Sequence, residues 1–161
     1  FIIASEEEVF WAQSFPLGVQ GLFSGFQKND PISQGDLLSL EWHLEQELQP
    51  LFNALHHHQT PLLFGASGSF EVVEDLLLER RHHPLYSVIS SDDYYKIHGP
   101  IVSSSLPQRF AMPKIPNERA ELIVVAFVLI DYIVRKAGIR QIVTSAYAMK
   151  EGILHEMLRK R

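Results

Sequence analysis

Three short segments hold residues whose types and spacing suit the binding of an anion. In the first, the apolar run Leu62-Leu63-Phe64 enters Gly65-Ala66-Ser67-Gly68-Ser69, and helical spacing resumes at Val72, Val73, Leu76 and Leu77. A strand that runs through small residues into a helix lets the backbone approach a ligand closely, and the unpaired amides of the helix start favour negative charge. Ser67 and Ser69 add hydroxyl donors. A plain strand-to-helix turn with serine caps fits the same residues. The segment lacks the Gly-Lys-Ser/Thr ending of a P-loop, and it is not a Gly-x-Ser-x-Gly elbow.

The second segment is the opening of a long apolar helix expected at residues 118–137, capped by Asn117. Arg119 lies in its first turn, where a cation opposes the helix dipole. A carboxylate such as Glu118 or Glu121 compensates it, or a bound phosphate held by the arginine fork does. The third is the junction after Ile142-Val143-Thr144, where Lys150 stands near the start of the last helix and Gly152 lies within that helix. Lys150 either points toward a phosphate at the junction or is an exposed lysine with a carboxylate partner.

The histidine clusters His56-His57-His58 and His82-His83 lack carboxylates at ligand spacing and read as surface or structural. No metal ligands are assigned. The chain has no cysteine, which excludes disulfides, zinc–thiolate sites and cysteine nucleophiles. Its net charge of −5 gives no basic footprint for nucleic acid. The basic runs Arg80-Arg81 and Arg159-Lys160-Arg161 are short and read as solvated surface.

The elements that must position these residues follow from spacing. The chain has 161 residues and is 46% hydrophobic, enough for one domain with a genuine core. Residues 1–4 and 9–14 read as a β-hairpin, the first strand already under way at Phe1. Residues 18–27 form a short helix, and Ser33 caps a long one that Pro50 ends or kinks. Strands are expected at 60–64, 86–90 and 141–144. Ser91 or Asp92 caps a helix that Gly99-Pro100 breaks, residues 109–116 connect, and Gly138 caps the long apolar helix. A final amphipathic helix covers 148–161. The run 122–130 is too short to cross a bilayer. The fold class is α/β, helix-rich, with an N-terminal hairpin.

In this order and spacing the segments resemble the exopolyphosphatase/guanosine-pentaphosphate phosphohydrolase (Ppx/GppA) family. Ser14-Phe15-Pro16-Leu17-Gly18 resembles its Ser-hydrophobic-Pro-Leu-Gly, and Gly65-Ala66-Ser67-Gly68-Ser69 its Gly-Thr-Ser-Gly-Thr. Arg109 followed by Glu118-Arg119-Ala120 resembles its paired-arginine stretch. Ala137-Gly138-Ile139 and Met149-Lys150-Glu151-Gly152-Ile153-Leu154 resemble its closing motifs. Ala66 stands where the family has threonine, and Lys150 where it has arginine.

The resemblance implies one lobe of an actin-like (ribonuclease-H-like) ATPase fold, with residues 1–161 beginning just after the second phosphate-binding loop. It implies a magnesium-assisted, cytoplasmic, homodimeric phosphohydrolase acting on polyphosphate or guanosine pentaphosphate, without nucleic-acid or membrane partners. Gly65, Ser67, Gly68, Ser69, Arg119 and Lys150 would bind the phosphates. The family's catalytic glutamate lies upstream of the segment that this chain resembles, so no residue here is assigned as catalytic and this chain alone is expected to be inactive. An actin-like sugar or carboxylate kinase relative, and a guanosine-polyphosphate-sensing or dimerisation module, are the alternatives.

Overall fold

The computed structural model describes residues 1–81 and 83–159; His82, Lys160 and Arg161 lie outside the described residues. Strands β1 (Ile2–Ala4) and β2 (Val9–Ala12) form an antiparallel hairpin. Helices α1 (Val19–Phe26), α2 (Gln34–Glu47) and α3 (Gln49–His57) follow. Ser33 caps α2 through a capping box with Asp36. Pro50 sits in the first turn of α3, where its missing N–H costs nothing, so it opens that helix.

Strand β3 (Leu62–Ala66) leads to α4 (Gly68–Leu77), and β4 (Tyr86–Ser90) to α5 (Ser91–Val102). Ser90 caps α5, accepting the Asp93 amide at 3.1 Å. The sequence places this cap one or two residues later. Helix α5 also continues through Gly99-Pro100 rather than breaking there. The proline lies in its last turn, where only the Lys96 carbonyl loses a donor. Then come α6 (Leu106–Phe110), α7 (Ile123–Ala137), β5 (Gln141–Ser145) and α8 (Met149–Arg159).

Helix α7 is the axis of the molecule. It is buried on nearly every face, with Ile123, Ala126, Phe127 and Ile130 in one apolar cluster and Val125, Val128, Tyr132 and Ile133 in another. The first cluster lies beneath the three-stranded sheet β3-β5-β4, through Val72, Val73, Ile89 and Ile142. The second is closed by the hairpin and helices α1 to α3, through Ile3, Leu22, Leu40, Leu44 and Leu51. Gly138, at φ 64°, ends α7 in the left-handed conformation expected of its cap.

The opposite face of the sheet is uncovered. Phe64, Val88 and Tyr86 are exposed there, and α8 buries no residue. No helix among the described residues is long and apolar enough to cross a membrane.

Candidate functional site

Strands β3 and β5 run parallel and pair Gly65 with Thr144 and Ala66 with Ser145. Their carboxyl ends are therefore side by side, and residues 67–69 and 146–150 leave the sheet from one edge. Crevices at that edge are the usual ligand sites of open α/β sheets.

Glu74 fixes α4 against this edge. It is buried at 4% exposure, yet it is an acid. Its carboxylate accepts from Ser87 of β4 at 3.0 Å, from Thr144 of β5 at 2.8 Å and from Arg81 at 2.5 and 3.1 Å. Burial works against its charge, but the hydrogen bonds from Arg81, Thr144 and Ser87 and the positive charge of Arg81 outweigh it. Its pKa is lowered below the ordinary glutamate range.

Gly65 is buried, and a Cβ there would overlap the ring of Phe70. Its small size lets α4 pack on its own strand. Ser67 has φ 76° and ψ 179°, a region that L side chains rarely adopt. This kink lets a buried strand pass abruptly into α4. The Ser67 carbonyl accepts the Phe70 and Glu71 amides, at 2.9 and 3.2 Å. Its hydroxyl caps nothing and is exposed. The amides of Gly68 and Ser69 precede the first intrahelical bond, at the positive end of the helix.

Arg119 meets Gly68 at that helix end. A Cβ on Gly68 would overlap the Arg119 guanidinium carbon and both terminal nitrogens. The guanidinium is half-buried and has no ion pair or hydrogen bond among the described residues, so neither Glu118 nor Glu121 compensates it. The backbone explains why. Helix α7 starts at Ile123 rather than Glu118, and residues 117–122 form overlapping turns, with bonds from Arg119 to Pro116 at 2.8 Å and from Ala120 to Asn117 at 3.2 Å. A continuous helix would give the Ala120 carbonyl to Val124. Arg109 Nε takes it instead, at 2.6 Å.

Lys150 leaves the same edge of the sheet, in the first turn of α8. Its side chain is 84% exposed and its amine is 3.5 Å from Glu151. Of the clustered histidines, His58 stacks on Phe10 with ring centroids 4.9 Å apart, and His83 lies 4.4 Å from Tyr86; His56 and His57 are exposed.

An open cleft of about 900 Å³ lies at the other end of the sheet, beside Pro61 and Arg140. Two of its lining cations are already paired, Lys136 with Glu45 and Arg135 with Asp131 and Glu41, and the third, Arg140, is exposed rather than set against a helix start. The junction at Gly68 offers free donors instead. A half-buried guanidinium and helix-start amides lie side by side there, donors of the kind that suit an anion, and the planar fork of arginine matches phosphate oxygens.

The sequence reading does not foresee the strain at Ser67, the network of Glu74 or the anchoring by Arg109. Glu74 leaves a trace, since it stands four residues after Phe70 and three before Leu77, both of which pack against the core. Strain at Ser67 has no signature in residue types.

The family model for Ppx/GppA phosphatases matches residues 1–161. The chain belongs to the Ppx/GppA phosphatase family. An exopolyphosphatase from Cytophaga hutchinsonii superposes with a TM-score of 0.91 at 28% identity, covering 99% of this chain and 53% of that one. A Ppx/GppA member from Aquifex aeolicus superposes at 0.82 with 18% identity, again over 99% and 53%. This chain thus spans about half the length of these relatives. A search of curated proteins gave no match. The fold is the helix-rich α/β lobe of actin-like type expected for a Ppx/GppA phosphatase, with its N-terminal hairpin.

Proposed function

We propose that this chain forms one wall of the phosphate cleft in a phosphohydrolase that releases terminal phosphate from inorganic polyphosphate or guanosine pentaphosphate. The observation that carries the reading is the unpaired Arg119 guanidinium resting on the first turn of α4 at Gly68. Family membership supplies the reaction class.

In this reading the amides of Gly68 and Ser69, the hydroxyls of Ser67 and Ser69, and Arg119 hold phosphoryl oxygens. Gly65 lets α4 pack close enough to present them. Lys150, exposed on the same edge, adds charge at longer range. Positioning and cationic stabilisation are what phosphoryl transfer chiefly asks of a protein. These residues do not fit the magnesium expected of the family. Amides and a guanidinium repel a cation, and the nearby carboxylate of Glu74 is taken up by Arg81, Ser87 and Thr144. The wall therefore binds phosphate and supplies no metal ligand or general base.

Half the length of the relatives fits a lobe that needs a second wall, and the chain alone is therefore inactive. The proposal places it in the cytoplasm, consistent with its lack of cysteine. It also makes it a homodimer, for which the exposed Met149, Ile153, Leu154, Met157 and Leu158 of α8 offer apolar surface.

The test is titration of the chain with inorganic tripolyphosphate, beside Arg119→Ala. Binding that the substitution weakens about tenfold, with folding intact, supports the reading. Equal binding by both removes Arg119 from the site. Robust phosphate release by the chain alone, with magnesium, refutes the role of a single inactive wall.

A further inference from the structure

Arg109 is the most buried charged side chain among the described residues, at 1% exposure. A guanidinium so placed is tolerated only if its donors are met. Nε donates to the Ala120 carbonyl at 2.6 Å, one terminal nitrogen to the Ser104 carbonyl, and the other to Asp30 Oδ1 at 2.8 Å. Asp30 Oδ2 in turn accepts the Leu106 amide at 2.6 Å, at the head of the helix that carries Arg109. The loop between α1 and α2, the end of α5 and the turn before α7 are thus tied to one planar group.

We propose that Arg109 and Asp30 are positioning residues for the anion site: they hold the 116–123 turn in the one conformation that aims Arg119 at Gly68. The proposal rests on the phosphate reading of that site. The competing conformation is the one local sequence favours, an α-helix beginning at residue 118. Extending α7 back by one turn would rotate Arg119 around the helix axis, since each residue turns by about 100°. It would also return the Ala120 carbonyl to Val124. Arg109 holds that carbonyl toward its own guanidinium, with no bond from Val124 formed, and so opposes the change. The rest of the turn is already fixed: the Arg119 carbonyl accepts from Leu122 and Ile123, both at 3.0 Å, and its amide donates to Pro116 at 2.8 Å. The Arg119 guanidinium, half-buried at this turn, is left without a hydrogen-bond or ion-pair partner among the described residues. Lysine could not replace Arg109, because an ammonium on one stem cannot reach three acceptors spread around a planar fork.

The experiment measures the affinity of the whole chain for inorganic tripolyphosphate, with urea denaturation of each variant as the control for folding. Asp30 is the softer handle, since its side chain is 36% exposed. Asp30→Ala should weaken binding at least about threefold while unfolding stays cooperative, and Arg109→Lys should do the same or more. In an Arg119→Ala background, Asp30→Ala should change affinity less than about twofold, because its effect passes through Arg119. A stabilising role alone would shift the urea midpoint and leave affinity, and this non-additivity, untouched. The proposal is overturned if Asp30→Ala folds and binds as the wild type does while Arg119→Ala is weakened. If the wild type takes up no tripolyphosphate, or Arg119→Ala binds equally well, both ideas fall, and the reading of the site is then what failed.

Discussion

The guanidinium of Arg119 occupies the space that a side chain on Gly68 would need. Gly68→Ala should therefore displace Arg119 while leaving the fold intact. The backbone φ of Gly68 is not positive, and the group in the way is the far end of a flexible side chain. Alanine is also the better helix former. The expected outcome is a stability change within about 1 kcal/mol, by urea denaturation, and a loss of tripolyphosphate affinity of about tenfold. Unchanged affinity would mean that the contact between the two residues has no part in binding.

Ser67 makes the opposite prediction for stability. Its φ of 76° with ψ 179° belongs to a region that costs a non-glycine residue about 1–3 kcal/mol. Glycine removes that strain and loses about 0.5–1 kcal/mol through the freedom of the unfolded chain. Ser67→Gly should stabilise the protein by about 1 kcal/mol, and Ser67→Val should destabilise it. Loss of the hydroxyl should also weaken tripolyphosphate binding if Ser67 contacts phosphate. A glycine variant no more stable than the wild type would show that the surroundings already relieve the strain.

How far the site was legible in the sequence depends on which residue is considered. Apolar periodicity placed α7, the Ser33 cap placed α2, and Gly138 marked a helix end, because each depends on neighbours in the chain. The Gly65–Ser69 junction was legible because small residues between a strand and a helix have few other uses. The start of α7 was not, since Arg109 and Asp30 decide it and lie 10 and 89 residues before Arg119 along the chain. Helix propensity at residues 118–122 is overridden by a contact that sequence spacing cannot express. Arg109 itself resembled a family arginine, but its burial and its acceptors appear only in three dimensions. Lys150 was read from its place near the start of the last helix and from the closing motif, and in the fold its amine lies 3.5 Å from Glu151.

For Lys150 the exposure sets a small expected effect. Its pairing with Glu151 is at the surface and contributes little to stability. Lys150→Ala should leave the urea midpoint unchanged and weaken tripolyphosphate binding by about threefold or less, an effect that salt near 0.15 M should shrink. Arg119→Ala should be the larger loss at every ionic strength. If Lys150→Ala proved the more damaging change, α8 would have to bring its first turn closer to Gly68 when anion is bound.

Glu74 links the site to pH. Burial alone would raise its pKa, but the hydrogen bonds from Arg81, Thr144 and Ser87 and the charge of Arg81 hold it below the ordinary 4.5. A carboxylate lowered in the folded state contributes stability that is complete above its ordinary value and is lost as the pH falls through the lower folded value. Urea midpoints should therefore drop between pH 6 and pH 3. Asp36 and Asp93, lowered by hydrogen bonds from Asn29 and Lys96 respectively, add to the same slope. Glu74→Gln isolates one share of it. The variant keeps the size of the side chain but leaves Arg81, itself 33% exposed, without its charge partner, which should cost about 1–2 kcal/mol at pH 7. That difference should narrow as the pH falls below 4.5 toward 3, because the unfolded wild type then takes up the proton that the folded state resists. Because Glu74 ties α4 to Ser87 and Thr144, the variant should also weaken tripolyphosphate binding at pH 7. A gap between the two proteins that is the same at pH 7 and pH 3 would mean that the charge of Glu74 does not hold α4 to the sheet, and that packing of Val72 and Val73 does so alone.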